Sequence, residues 1–180
     1  AAATAVTLVN NAGVLEPIKR LEELEPREVR GHFDVNVTAP LLLIGAFLRL
    51  TEDLTIPRRV VNITSGAGSR AYPGWGAYCA GKASLDMVTR VAAEEQERRG
   101  TGVRVIGIAP GVVDTEMQET IRASDEASFP LKEKFLRLKA EGGLYTPENS
   151  ASLILKAIED ETIGSGEIVD VRKRYTESDG

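Results

Sequence analysis

Four short runs along the chain, Ala5 to Val9, Arg59 to Ile63, Val103 to Ile108 and Glu167 to Val171, are rich in β-branched residues and are nearly continuous in apolar character or bounded by glycine. Continuous apolar character, rather than alternation with polar residues, marks strands buried on both faces. Between these runs lie stretches with helical spacing, about Pro26 to Leu50, Gly76 to Arg99 and Pro147 to Glu159, with shorter ones near Glu116 to Ile121 and Pro130 to Ala140. Strand and helix therefore alternate at intervals too long for hairpins. That pattern predicts parallel strands joined by helical crossovers, an α/β sandwich with helices on both faces of the sheet. Helix-end chemistry agrees: Arg98 and Arg99 before Gly100 read as a helix C-terminus, and Thr146 before Pro147 reads as an N-cap followed by a first-turn proline. No repeat, low-complexity tract or linker interrupts the pattern, so residues 1–180 are read as a single domain.

In the central helix Leu85, Val88 and Ala92 share one face and Met87 and Val91 a neighbouring one. That apolar surface is wider than a simple amphipathic stripe. Part of it is expected to pair with a second copy of the chain.

Composition narrows the class of function. Hydrophobic residues make up 42% and charged residues 27%, an ordinary balance for a folded domain. The net charge of −5 and a pI near 5.1 argue against a nucleic-acid footprint or a basic adhesive patch. A single cysteine, Cys79, makes no intramolecular disulfide and supplies no metal cage, which favours a reducing compartment, the cytoplasm, and no metal site. The longest apolar run, Ala39 to Leu48, is ten residues and stops at Arg49. It falls short of the roughly 20 needed to span a bilayer and reads as a buried helix. The chain enters a strand within a few residues of its start, so the expectation is that it begins inside a larger fold.

Chemistry-bearing residues gather in three places. Tyr78 and Lys82 are four apart in a predicted helix and so lie on one face, about one turn from each other. A lysine there favours the tyrosinate and lowers a phenol pKa that starts near ~10, making Tyr78 a usable acid or base; an exposed helical pair is the alternative. Ser65 follows a predicted strand and opens the loop leading to Tyr78, where its hydroxyl can donate to a carbonyl oxygen, or simply serve a turn. Pro40 lacks the amide that would have bonded the Asn36 carbonyl four residues earlier. The freed carbonyl can hold a water and pass protons toward Lys82, or the proline can simply kink a buried helix. A hydrolase triad is excluded: no Gly-x-Ser-x-Gly elbow occurs, and the only histidine, His32, sits in a charged helix and reads as a surface or partly packed residue.

Asn10-Asn11-Ala12-Gly13, Asn36, Ser65 thirteen before Tyr78, Lys82, and Pro110-Gly111-Val112-Val113-Asp114-Thr115 together resemble the short-chain dehydrogenase/reductase family. That resemblance implies a Rossmann-type doubly wound fold. It implies Tyr78 as acid/base, Lys82 lowering its pKa and holding the nicotinamide ribose, Ser65 orienting the substrate carbonyl, and Asn36 completing a proton relay. It also places Asn11, with Ala12 and Gly13, at the adenosine side of the cofactor and Val113 and Thr115 around the nicotinamide carboxamide. The segments Ser65 to Gly68, Gly74 to Lys82, Ala109 to Gln118 and Leu138 to Gly142 are similar to the sepiapterin reductase and benzil reductase branch. That likeness implies NADPH as donor, a carbonyl next to a second carbonyl or imine-like group as substrate, and a homodimer or homotetramer. Gly111 and Asp170 match substrate-contact positions of the branch. Trp75, between Gly74 and Gly76, offers a flat surface for a planar substrate or packs the loop.

The chain also departs from the family. No glycine-rich turn precedes Asn10, so three strand and helix repeats, on the order of 80 residues, are expected to lie before it. The fold is accordingly read as the C-terminal part of an NAD(P)-binding domain, a partial sheet lacking its first strands, with the Ala5 to Val9 strand as an apolar edge. Two further readings stay open: a non-catalytic binding or assembly module of the same fold, and a lyase or epimerase using the same Tyr and Lys.

Overall fold

The computed structural model describes residues 2–175. Its four strands are β1 (Val6–Asn10), β2 (Arg58–Ile63), β3 (Arg104–Ala109) and β4 (Ile168–Asp170), and they form one sheet in the order β1-β2-β3-β4. Every pairing is parallel, with Val9 beside Val61 and Val61 beside Ile106. Each strand lies within a residue or two of its predicted run.

Helices cover both faces, as the continuous apolar runs require. On one face Val60 and Val105 meet Ile44 from α2 (Ala39–Leu50) and Ala92 and Ala93 from α3 (Gly76–Arg98). On the other, Val61, Ile63, Ile106 and Ile108 meet Ala157 and Ile158 from α6 (Pro147–Glu159). The alternation Val60 out to one side and Val61 to the other is the two-residue period of a strand buried twice over. At the sheet edge β1 pairs, among the described residues, only with β2, and Val9 is 44% exposed. The Thr146 hydroxyl caps α6 by accepting from the Asn149 amide at 3.2 Å, and Gly100 takes a φ of +62° just past the end of α3.

The long first helix accommodates Pro40 inside a continuous helical run. It runs without a break as α1 (Pro26–Phe33), a π-helical segment Asp34–Thr38, and α2. Pro40 cannot donate to Asn36, and the chain answers by widening the turn: the Ala39 amide reaches back five residues to the Asp34 carbonyl. Joined in this way, Pro26–Leu50 spans 25 residues and is long and apolar enough to cross a membrane, a length the ten-residue run alone did not reveal. Its buried residues, His32, Asn36, Pro40 and Ile44, form one stripe that faces the domain, but only 17% of its most apolar stretch is buried and Leu41, Leu42 and Leu43 are exposed, so the buried helix expected of Ala39 to Leu48 is buried along one face only.

The broad apolar surface of α3 divides between core and solvent. Leu85 and Ala92 point into the core and Val88 packs against it, while Met87 and Val91 are about half exposed. The exposed large apolar side chains of these two helices include Met87 and Val91 on α3 and Leu41, Leu42 and Leu43 on α2.

Candidate active site

Parallel pairing puts the carboxyl ends of all four strands on one edge, where open α/β sheets bind ligands. Asn11 to Gly13, Thr64 and Ser65, Pro110 to Thr115, and Asp170 all leave the sheet at this edge. The first two turns of α3 carry Tyr78 and Lys82 to the same place, both buried. The Lys82 Nζ donates to the carbonyl of Ile63, the last residue of β2, at 2.8 Å and lies 5.7 Å from the centre of the Tyr78 ring. Ser65 caps a short 3₁₀ turn, Gly66–Gly68, its Oγ accepting from the Ala67 amide at 3.2 Å. Its side chain also interacts with the Tyr78 phenol.

The electrostatics are set by burial. Tyr78 has its pKa raised above the ordinary value by desolvation, an effect that Ser65 partly opposes. Sequence reasoning expected Lys82 to push this pKa down. In the structure the net direction is upward, because desolvation of the buried phenol outweighs the opposing bond from Ser65, while the Lys82 ammonium is turned to the Ile63 carbonyl. Burial lowers Lys82 itself to about 8, with Asp86 opposing the fall. Asp86, one turn beyond Lys82, is buried and accepts from the Thr64 hydroxyl; burial raises its pKa and Thr64 holds it down. A Cβ on Gly68 would fall 2.5 Å from the Asp86 carboxylate, so glycine is required where this loop crosses α3. Asp86 thus ties the loop carrying Ser65 to the helix carrying Tyr78. Its i, i+4 spacing from Lys82 was the available sequence signal.

Asn36 reaches the site through its side chain. The amide Oδ1 accepts from the Val14 N–H at 3.0 Å and Nδ2 donates to the Val14 carbonyl at 2.7 Å, gripping the loop after β1 in both directions. A Cβ on Gly13 would lie 3.1 Å from Asn36 Oδ1 and 3.6 Å from Lys82 Nζ. His32 corrects the sequence reading most plainly. It is 2% exposed, its Nδ1 is 2.8 Å from the Glu16 carbonyl, and its Nε2 is 2.8 Å from Asn36 Nδ2. Burial lowers its pKa, and the Lys82 charge acts in the same direction.

Other expected site residues are placed less simply. Trp75 is buried, stacked on Phe129 at 4.8 Å and on Tyr72 at 4.9 Å, and meets Tyr78 edge-on at 5.6 Å. Its faces are taken by protein rings, so it packs the floor beneath Tyr78 and has little surface left for a planar substrate. Asp170 has both oxygens engaged by Arg172, with Nε at 3.0 Å from one and Nη2 at 2.6 Å from the other. Burial raises its pKa, but the Arg172 bonds and charge outweigh this and leave it lowered. Asp170, matched to a substrate-contact position, is thus one half of an ion pair with Arg172. Gly111 adopts a φ of +86°, and a Cβ would strike the Tyr145 ring at 2.8 Å. Val113 bridges to Tyr145, and Thr115 is exposed at the start of α4 (Glu116–Ala123). Asn11 and Ala12 are exposed at the end of β1.

These features fit one end of a dinucleotide. Lys82 spends one of its three N–H donors on Ile63. Gly13 leaves space at backbone level between that ammonium and the loop after β1. The Thr115 hydroxyl has only a long 3.4 Å bond to the Val113 carbonyl. No group of three or more metal-ligating side chains occurs among the described residues.

Comparison with known proteins matches the short chain dehydrogenase family model over residues 5–126. A benzil reductase ((S)-benzoin forming) of Bacillus subtilis is 42% identical over 93% of this chain and 69% of its own length. A sepiapterin reductase of Meriones unguiculatus is 36% identical over 91% of this chain, which spans only 62% of that relative. The solved structure of 4-hydroxyisoleucine dehydrogenase complexed with NADH superposes with a TM-score of 0.68 at 27% identity, covering 91% of this chain and 66% of that one.

Proposed function

The chain belongs to the short-chain dehydrogenase/reductase family, and on that premise we propose that it serves a carbonyl reductase in which Tyr78 is the proton donor. The observation that carries this reading is the burial of Tyr78 and Lys82 together at the head of α3, with Ser65 against the phenol. Reducing a carbonyl requires hydride at carbon and a proton at oxygen. A nicotinamide cofactor, when bound, supplies the hydride.

A buried phenol whose pKa lies above its ordinary value holds its proton at neutral pH, the state a donor needs before reaction. As charge develops on the substrate oxygen, the phenol and the Ser65 hydroxyl offer it hydrogen bonds from a partly desolvated position, Tyr78 and Lys82 both being buried. The tyrosinate left behind is stabilised by the ammonium of Lys82, which is mostly protonated at pH 7 with a pKa of about 8. Asn36, fastened to Val14 beside Lys82, belongs to the path that returns a proton. Lys82, Tyr78, the backbone of Asn11 to Gly13, Val113 and Thr115 would hold the cofactor, and Ser65 and Gly111 would border the substrate.

Likeness to the benzil and sepiapterin reductases supports a substrate with a second carbonyl or imine-like group beside the first, and NADPH as the preferred donor. The exposed apolar residues of α2 and α3 support pairing of two copies into a dimer or tetramer, and the single cysteine supports a cytoplasmic setting. The test is direct: the natural full-length protein is mixed with NADPH or NADH and either benzil, sepiapterin or a simple monoketone, and loss of reduced nicotinamide is followed. Faster turnover of the dicarbonyl or pterin with NADPH supports the reading. No turnover of any carbonyl with either nucleotide refutes it.

A further inference from the structure

We infer that His32 is a positioning residue for Asn36: it accepts the second N–H of the Asn36 amide and, with Asn36, clamps the loop after β1 beside Lys82. This rests on the reading of Asn36 as part of the proton path. The hydrogen-bond inventory leads to it. An asparagine amide has two N–H donors and one oxygen. Asn36 Oδ1 accepts from the Val14 amide, which fixes which end of the side chain is oxygen, and one N–H goes to the Val14 carbonyl. The other points to His32 Nε2 at 2.8 Å. Nε2 must therefore carry a lone pair, so the ring proton sits on Nδ1 and is donated to the Glu16 carbonyl at 2.8 Å. The Asn36 orientation assigns the tautomer, Nε2 accepting from Asn36 and Nδ1–H donating to Glu16, with the backbone of Ala77 as a further polar neighbour of the ring.

The arrangement follows from helical geometry. His32 and Asn36 are four apart and share the inward face of the helix even though the segment widens from α to π between them. Between them they hold three backbone groups of one short loop, the N–H and carbonyl of Val14 and the carbonyl of Glu16. Gly81 of α3 makes room for the pair, since a Cβ there would lie 3.2 Å from His32 Nε2 and 3.3 Å from Asn36 Cβ. The clamp consequently sets the distance between α1, the loop after β1 and the turn of α3 that carries Lys82. The His32 ring also packs edge-on to Tyr78, with centroids 6.3 Å apart. An apolar residue in its place would leave one Asn36 N–H buried with no acceptor and free the amide to rotate.

The test compares His32→Phe, which keeps a ring but has no acceptor, with His32→Gln, whose Oε1 can take the Asn36 N–H, and with Asn36→Ala and the double variant His32→Phe/Asn36→Ala. In the natural full-length protein, His32→Phe should lower kcat for a 1,2-diketone about tenfold while KM stays within about twofold, the mark of a displaced catalytic geometry. His32→Gln should recover most of the loss. The double variant should be no slower than Asn36→Ala alone, because His32 acts through Asn36. Hydrogen exchange at the Val14 amide should quicken about tenfold in His32→Phe and stay native in His32→Gln. Unchanged exchange, failure of glutamine to rescue, or losses that multiply in the double variant would overturn the proposal. Wild-type kcat in Asn36→Ala, with Val14 exchange still responding to His32→Phe, would instead sink the proton-path reading and leave the clamp standing. Should His32→Phe fail to fold, His32→Met, of similar reach and with only a weak acceptor, takes its place in every comparison.

Discussion

Lys82 is costly to the fold that holds it, and removing it should make the protein more stable and less active. Burial lowers its pKa from an ordinary 10.5 to about 8. At about 1.36 kcal/mol per unit, the depressed pKa corresponds to a penalty of about 3 kcal/mol at pH 7, where the unfolded chain and most of the folded protein carry the proton. Lys82→Met keeps the apolar stem and removes the ammonium. It also forfeits the bond to the Ile63 carbonyl, worth about 1 kcal/mol, and deprives buried Asp86 of a nearby cation. The expected net gain is about 1–2 kcal/mol at pH 7. The sign with pH follows from the direction of the shift: the penalty is fully present below the folded pKa of about 8 and is relieved as pH rises toward 10.5. By pH 9.5 only about 1.4 kcal/mol of it remains, so the variant's advantage over wild type should shrink by about 2 kcal/mol and vanish. Urea unfolding of both proteins at pH 7 and 9.5 measures this, with turnover assayed in parallel. A stability difference that is the same at both pH values, or a variant less stable at pH 7, would refute the electrostatic argument.

Gly111→Ala places a Cβ 2.8 Å from the Tyr145 ring at a φ of +86° and should cost about 2–3 kcal/mol, seen as a fall in Tm; an unchanged Tm would show that the turn is not constrained as described. Gly13→Ala puts a methyl 3.1 Å from Asn36 Oδ1 and should slow turnover about tenfold with a stability change under about 1 kcal/mol, since it displaces the clamp rather than the core. Leu42→Glu combined with Met87→Glu charges the exposed apolar surface of α2 and α3 and should convert a dimer or tetramer to monomer in sedimentation. An unaltered assembly would move the interface elsewhere.

The central strands β2 and β3 were legible because each is buried on both faces and so reads as an unbroken apolar run; β1 reads the same way in sequence but leaves Thr7 and Val9 exposed. The Tyr78 and Lys82 pair was legible because its spacing is local to one helix. What stayed hidden depends on contacts between segments distant in sequence. His32 looks solvated among Arg27, Glu28 and Arg30, and becomes buried only because the loop bearing Glu16 folds over it. Trp75 offered a flat face until Phe129, far along the chain, stacked on it. The pairing of Asp170 was not visible because Arg172, only two residues on, gave no sign that it would turn back to grip both oxygens. Period alone made the apolar surface of α3 broad without saying which part of it meets the sheet. The π-helical turn at Asp34–Thr38 was half visible: Pro40 announced a missing bond, and the structure supplied the way the helix absorbs it.

The role assigned to Tyr78 is tested most directly by Tyr78→Phe in the natural full-length protein, assayed for nicotinamide-dependent reduction of a 1,2-diketone. The phenylalanine ring keeps the packing against Trp75 and His32 and removes only the hydroxyl. The expected result is a native unfolding transition with kcat reduced by at least about 10²-fold, the scale of a lost general acid. A variant that folds normally and keeps most of its activity would contradict the account.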